Sequence, residues 1–215
     1  MLYSAAEQVY REVKESILSG DLPGGELISE GDIARRMELS RTPVREAFLR
    51  LEAEGWMRLY PKRGALVVPI ADGEAENVVD ARQMVETQSL RNIVDRPGAL
   101  SALDAALRAN LTDQHQIAER RDVAAFSAAD ADFHRLIVKA AGNPILDNFY
   151  SSLRERQRRM TARSLARDPS QLPRIIEDHS LLADLVAARD VDGFAAALLT
   201  HMHEVHGLER RGGTR

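Results

Sequence analysis

The chain has 215 residues, 44% of them hydrophobic, enough for one large domain or two small ones with packed cores. It contains no cysteine, which excludes a disulfide framework, and no apolar run of the roughly 18 residues that cross a bilayer, which excludes a spanning helix. The net charge of −4 excludes a uniformly basic nucleic-acid binder, yet between Arg35 and Arg63 eight basic residues stand against four acids. Phosphate contact requires such a local patch, although a solvated charged surface has the same composition.

The first segment, MLYSAAEQVYREVKESIL, mixes acids with apolar residues and is an amphipathic helix over 5–19, not a signal peptide. With the absent cysteines, this sets the expected location as the cytoplasm. Gly20, Pro23, Gly24 and Gly25 end the helix. Ser29, followed three residues on by Asp32, resembles a capping box and starts a short helix with Ile33, Ala34 and Met37 inward. A turn at Glu38-Leu39-Ser40 leads to a further helix. Its start is expected at Thr42-Pro43, with Thr42 as N-cap and Pro43 in the first helical position. Val44, Ala47, Phe48 and Leu51 share one face and Gly55 ends the helix. Strands follow at Met57–Tyr60 and Ala65–Val68, joined by the turn Pro61-Lys62-Arg63-Gly64. Trp56 is expected in the core.

Helix, short helix, turn, helix and basic-tipped hairpin form the layout of a winged helix-turn-helix over residues 1–70. The second helix of such a unit enters the major groove and reads DNA with its N-terminal residues. Here these are Ser40, Arg41, Thr42 and Arg45. Arginine can bridge guanine O6 and N7 or grip phosphate, and the hairpin tip Lys62-Arg63-Gly64 can reach a minor groove. The stretch ISEGDIARRMELSRTPVREAFLRLEAEGWMRLYPKRGALV resembles the DNA-binding domain of the GntR family. The resemblance implies operator contacts from Arg41, Thr42, Arg45 and the Gly64 wing. Where some members carry an arginine early in the short helix this chain has Gly31, so Arg35 or Arg36 is the candidate substitute.

Residues 71–73 suit a linker, and residues 74–215 read as an all-α six-helix bundle. The expected helices are 74–94, 99–120, 122–140, 144–166, 172–188 and 191–208. Four polar residues fall on apolar stripes. Asp130 and His134 lie four apart on one face with Ile137 and Val138. His179 shares a face with Ile175, Leu182 and Val186, and His201 with Phe194, Leu198 and Val205. His179 precedes the last turn by about twelve residues and His201 follows it by about ten, so both stand at one height on antiparallel helices. His203 and His206 fall on other faces, and His115 is expected at the surface. Three imidazoles and one carboxylate suit a borderline divalent cation, Zn2+ first and Ni2+ or Mn2+ next. Taken alone, an inward histidine is more often an ordinary hydrogen-bonded core residue than a ligand, and Asp130 alone is equally a salt-bridge partner.

The segments DADFHRLIVKAAGNPIL and EDHSLLADLVAARDVDGFAAALLTHM resemble the FCD ligand-binding domain of the FadR subfamily, in its shorter VanR-like form. This implies Asp130, His134, His179 and His201 as the metal ligands, and places Arg82 with Glu86 on the first helix of the domain. Arg82 is a candidate to hold an effector carboxylate, with a plain i,i+4 ion pair to Glu86 as the alternative. The expected function is a transcriptional regulator and not an enzyme. It would be a repressor that binds a pseudo-palindromic double-stranded operator as a homodimer and responds to a small carboxylate effector, with no membrane partner. A metal-dependent hydrolase or lyase using the same four residues, and a direct metal sensor, are the competing readings.

Overall fold

The computed structural model of the protein describes residues 3–208. The chain divides between Ala71 and Asp72 into two compact units.

The N-terminal unit runs α1 (Ala5–Ser19), β1 (Leu27–Ile28), α2 (Glu30–Arg36), α3 (Arg41–Ala53), β2 (Met57–Tyr60) and β3 (Gly64–Val67). The strands form one antiparallel sheet in the order β1-β3-β2. β1 lies outside the sequence reading, because two residues are too short for any alternation to show. Val9, Val13, Ile17, Val44, Phe48 and Leu51 bury the facing stripes of α1 and α3. Trp56 is buried beside them, as expected. Tyr10 of α1 donates to the Glu54 carboxylate beyond α3 at 2.8 and 2.9 Å, which braces the pair.

α2 begins as expected: Ser29 Oγ accepts from the Asp32 amide at 3.0 Å. Asp32 reaches back to the Ser29 hydroxyl, 2.8 Å away. α3 corrects the expectation. It starts at Arg41 with Ser40 as N-cap, so Thr42 and Pro43 are the second and third helical residues. Proline is tolerated there because the first turn has no partner for its amides in any case. The gain is functional geometry: Arg41, Thr42 and Arg45 all belong to the first turn and a half of one helix.

The C-terminal unit consists of α4 (Glu74–Arg91), α5 (Pro97–Glu119), α6 (Val123–Ala140), α7 (Pro144–Arg167), α8 (Leu172–Ala187) and α9 (Val191–His206), with a short 3-10 turn at Pro169–Gln171. Each expected helix is present to within a few residues. Asp122, Asn143 and Asp190 cap α6, α7 and α9 by accepting first-turn amides at 2.8–3.3 Å. One apolar cluster binds the bundle, with Leu107, Phe126, Phe133, Ile175, Phe194 and Leu198 at its centre. The polar residues Arg82, Glu86, Gln114, Asp130, His134 and His179 are buried alongside them.

Gly64 starts β3 at a φ of 108°, and a Cβ there would run into the Ile28 carbonyl of β1. Gly55 has a φ of 82° but open space around it. Gly64→Ala therefore adds a backbone collision to the conformational cost of roughly 1–3 kcal/mol that both sites share. Thermal unfolding followed by the single tryptophan, Trp56, should show a larger loss for Gly64→Ala than for Gly55→Ala.

Candidate nucleic-acid interface and metal centre

In the N-terminal unit, Arg41 and Arg45 of α3 line one groove together with Lys62, Arg63 and Gly64 of the hairpin. Arg35 and Ser40 line an adjoining groove that also takes in Arg41. Arg35, Ser40, Arg41, Thr42, Arg45, Lys62 and Arg63 are exposed. Among the described residues, Arg41, Arg45, Lys62 and Arg63 make no ion pair, whereas Arg36 pairs with Glu12 at 3.1 Å and Arg50 with Glu7 at 2.8 Å. Cations without an internal counter-charge lose nothing when a phosphate arrives. Arg35 is paired with Asp32, but both side chains are solvent-exposed and such a pair is weak. The guanidinium of Arg41 lies over Gly31, whose missing side chain leaves it room. Lys62 takes a left-handed φ of 64°, which turns the hairpin tip.

In the C-terminal unit, Asp130 and His134 of α6, His179 of α8 and His201 of α9 converge. One donor atom from each lies within 4.8 Å of the others, and all four residues are buried. The outer atoms explain how the rings are aimed. His134 Nδ1 is 2.7 Å from Glu86 Oε2, His179 Nδ1 is 2.9 Å from Gln114 Oε1, and His201 Nδ1 is 3.0 Å from Asp178 Oδ2. Each partner is an acceptor. The Gln114 orientation follows from its own amide donating to Asn110 Oδ1 at 2.7 Å. Each imidazole therefore donates from Nδ1, and His134 and His179, held neutral by burial, keep a lone pair on Nε2. The Nε2 atoms of His134 and His179 are buried with no hydrogen-bond partner. Phe133 stacks on His179 with ring centroids 4.3 Å apart, which fixes that ring.

Asp130 completes the set. Its Oδ2 accepts from Gln157 Nε2 at 2.9 Å and Thr161 Oγ1 at 3.0 Å, both from α7. Its Oδ1 remains, 3.5 Å from His179 Nε2. Orphaned buried lone pairs beside a carboxylate oxygen are what a divalent cation satisfies, so the residues fit one. Burial pushes the His179 pKa well below its ordinary 6.5, and the neighbouring His201 and His134 push it the same way. Burial also lowers His134, against the pull of Glu86. Neutral imidazoles are the ligating form.

Arg82 is buried, with its Nε 2.9 Å from Glu86 Oε1 and 3.3 Å from Tyr150 Oη. The i,i+4 ion pair thus forms, yet Arg82 Nη2 is buried without an acceptor. Burial raises the Glu86 pKa, but Arg82, His134 and Tyr150 outweigh it and hold the carboxyl at about 2. His115 is exposed, and His203 and His206 are outside the cluster, as expected. The sequence reading missed Gln114, Tyr150, Gln157, Thr161 and Asp178. Gln114 had a signal, since it continues the Leu107–Leu111 stripe of α5, and Gln157 and Thr161 stand four apart on α7.

The buried neutral imidazoles make acid costly for the metal-free protein. Unfolding raises their pKa to about 6.5, so below that value the unfolded chain takes up protons that the folded chain refuses. Their contribution is complete above about pH 6.5 and is lost as the pH falls towards the folded values. Denaturant unfolding of chelated protein, followed by circular dichroism, should show the midpoint falling between about pH 7 and pH 5. A flat midpoint would contradict the neutral rings.

Comparison with known proteins agrees with both halves. Residues 5–67 match the model of bacterial regulatory proteins of the gntR family, and residues 77–204 match that of the FCD domain. The galactonate operon transcriptional repressor of Escherichia coli is 25% identical over 93% of this chain and 94% of its own. The probable D-xylose utilization operon transcriptional repressor of Paenarthrobacter nicotinovorans is 30% identical over 92% of this chain and 85% of its own. Among solved structures, Escherichia coli McbR/YncC superposes with a TM-score of 0.75 at 24% identity, covering 94% and 95% of the two chains. The chain belongs to the gntR family of bacterial regulatory proteins, in the form that carries an FCD domain, and is a regulator rather than an enzyme.

Proposed function

We propose that the protein is a repressor whose hold on DNA is set by a small organic acid bound beside a divalent metal in its helical unit. The observation that carries this reading is Arg82: a buried guanidinium whose Nη2 lacks an acceptor, in the same core as a cluster of three histidines and one aspartate. A divalent cation on Asp130 and three neutral imidazoles leaves one positive charge. Arg82 and Glu86 cancel each other. A carboxylate that accepts from Arg82 Nη2 and approaches the cation balances that charge. Zn2+ suits this donor set first, with Ni2+ or Mn2+ as alternatives. The bound ion would supply a Lewis-acidic anchor for the acid. The family placement within the FadR subfamily, VanR-like form, rests on the length of the helical unit and on these four ligands. A relative named for a galactonate operon supports a sugar-acid class of effector.

In this reading residues 1–70 contact a pseudo-palindromic double-stranded operator, 71–73 are the linker and 74–215 hold the metal, the effector and the dimer contacts. Two recognition helices on one face of a duplex require two-fold symmetry, hence a homodimer. Arg41 and Arg45 read or grip DNA from α3, with Ser40 and Thr42 at the same helix start. Lys62, Arg63 and the Gly64 turn reach the flanking groove, and Arg35 exchanges its exposed pair with Asp32 for phosphate. The effector shifts the balance only through its unequal affinity for the DNA-bound and free arrangements. A cytoplasmic location follows from the DNA partner.

Genomic fragments captured by the purified protein should share one palindrome beside a catabolic operon. No enrichment at low salt, with or without chelation, would overturn the regulator reading. Arg45→Ala should weaken operator binding by about 10-fold to 100-fold without change in melting temperature, the scale of a lost bidentate arginine contact. His179→Ala should strip the metal, measured as metal per chain, and abolish release from the operator by the effector. Full metal content in that variant would refute the ligand set.

A further inference from the structure

Among the groups that aim the histidine rings, Gln114 is the one that could turn over. An ionised carboxylate such as that of Glu86 only accepts. A primary amide accepts at one end and donates at the other, and its two ends are nearly the same size. Two states of the Gln114–His179 pair therefore compete. In one, Gln114 Oε1 accepts from His179 Nδ1 and the ring keeps a lone pair on Nε2. In the other, the amide is turned over, its Nε2 donates to His179 Nδ1, and the ring carries its proton on Nε2. The second state has a partner waiting, because Asp130 Oδ1 lies 3.5 Å from His179 Nε2. Only the first leaves that nitrogen able to ligate a cation inside the cluster.

α5 settles the choice, although it supplies none of the four clustered residues. Gln114 is fully buried, so water offers its amide no alternative partner. Its Nε2 donates to Asn110 Oδ1 at 2.7 Å, about one turn earlier on the same helix. Asn110 is two-ended as well, and its Nδ2 donates to the Ala129 carbonyl of α6 at 3.1 Å. A backbone carbonyl in a helix can neither donate nor turn over. It fixes Asn110, Asn110 fixes Gln114, and Gln114 Oε1 holds the proton of His179 on Nδ1 across 2.9 Å. Ala129 directly precedes Asp130. The run of three hydrogen bonds thus starts on the peptide of one clustered residue and ends on the ring of another. We propose, resting on the metal reading above, that Asn110 is a positioning residue for the metal centre: by holding Gln114 in its accepting orientation it keeps the Nε2 lone pair of His179 free for a divalent cation. The hydrogen bonds of Asn110 go to Gln114 and a backbone carbonyl, so it acts on the centre only through them.

Asn110→Asp and Asn110→Leu separate orientation from bracing. Neither an aspartate carboxylate nor leucine can donate to the Ala129 carbonyl, so a role confined to tying α5 to α6 would be lost equally in both. Aspartate still accepts from Gln114 Nε2, and leucine does not. Zinc affinity of the full chain, measured by competition with a chromophoric chelator, should fall about 10-fold to 100-fold in Asn110→Leu, the scale of a lost outer partner. It should stay close to the native value in Asn110→Asp, with circular dichroism unchanged in both. Long-range proton–nitrogen spectra of the chelated chains give a second reading that needs no metal. The His179 proton should sit on Nδ1 in the native and Asn110→Asp chains, and on Nε2 in Asn110→Leu. Native affinity in Asn110→Leu, equal losses in both variants, or an Nδ1 proton in all three chains overturns the role of Asn110. A native chain that takes up no zinc overturns the metal reading instead, and the spectra then still decide whether Asn110 orients the ring.

Discussion

A carboxylate sealed from water must be surrounded by partners, and the Glu86 carboxylate at the heart of the helical unit meets that demand three times. Arg82 and Tyr150 approach Oε1 at 2.9 and 2.5 Å, and His134 approaches Oε2 at 2.7 Å. Removing any one leaves a buried charge under-compensated, at a cost far above that of a surface pair. The network therefore ties α4, α6 and α7 into one arrangement. It also decides the chemistry of the centre next to it. Because Glu86 stays ionised and accepts, His134 must donate from Nδ1 and turn its Nε2 lone pair inward.

The same logic recurs around the other two rings with different partners. Gln114 is a neutral acceptor for His179, while Asp178 is a partly exposed carboxylate for His201. Each imidazole is thus oriented from outside the cluster, by a residue on another helix or another face. The result is a set of inward-facing ring nitrogens held together beside Asp130. Arg82 neutralises Glu86 through Nε, and its Nη2 is buried without an acceptor.

The N-terminal unit works by the opposite rule. Arg41, Arg45, Lys62 and Arg63 are exposed and make no ion pair among the described residues, so their charge stays available in a chain that is acidic as a whole. Buried polar groups specify shape in one unit, and unpaired surface groups advertise charge in the other. That contrast explains why the two halves were unequally legible. The motif SRTPVREAFLRLEAEG places its arginines by local spacing alone, so Arg41 and Arg45 could be singled out from the chain. The start of α3 was displaced by two residues, because Ser40 and Thr42 are both good caps and only the backbone chooses between them.

By itself the sequence determined the helical periodicity, the layout of the winged unit and the four inward polar residues Asp130, His134, His179 and His201. Each of these is a matter of spacing along one element, and spacing is written in the chain. Tertiary structure decided the rest. It chose Gln114, Asp178 and Glu86 as the groups that aim the rings, left Arg82 Nη2 without an acceptor, and set α4 beside α7 with their apolar residues outward. These facts depend on which helices meet and at what height. Partners drawn from positions 48, 65 and 23 residues away leave no periodic trace, because the distance that matters is measured through space.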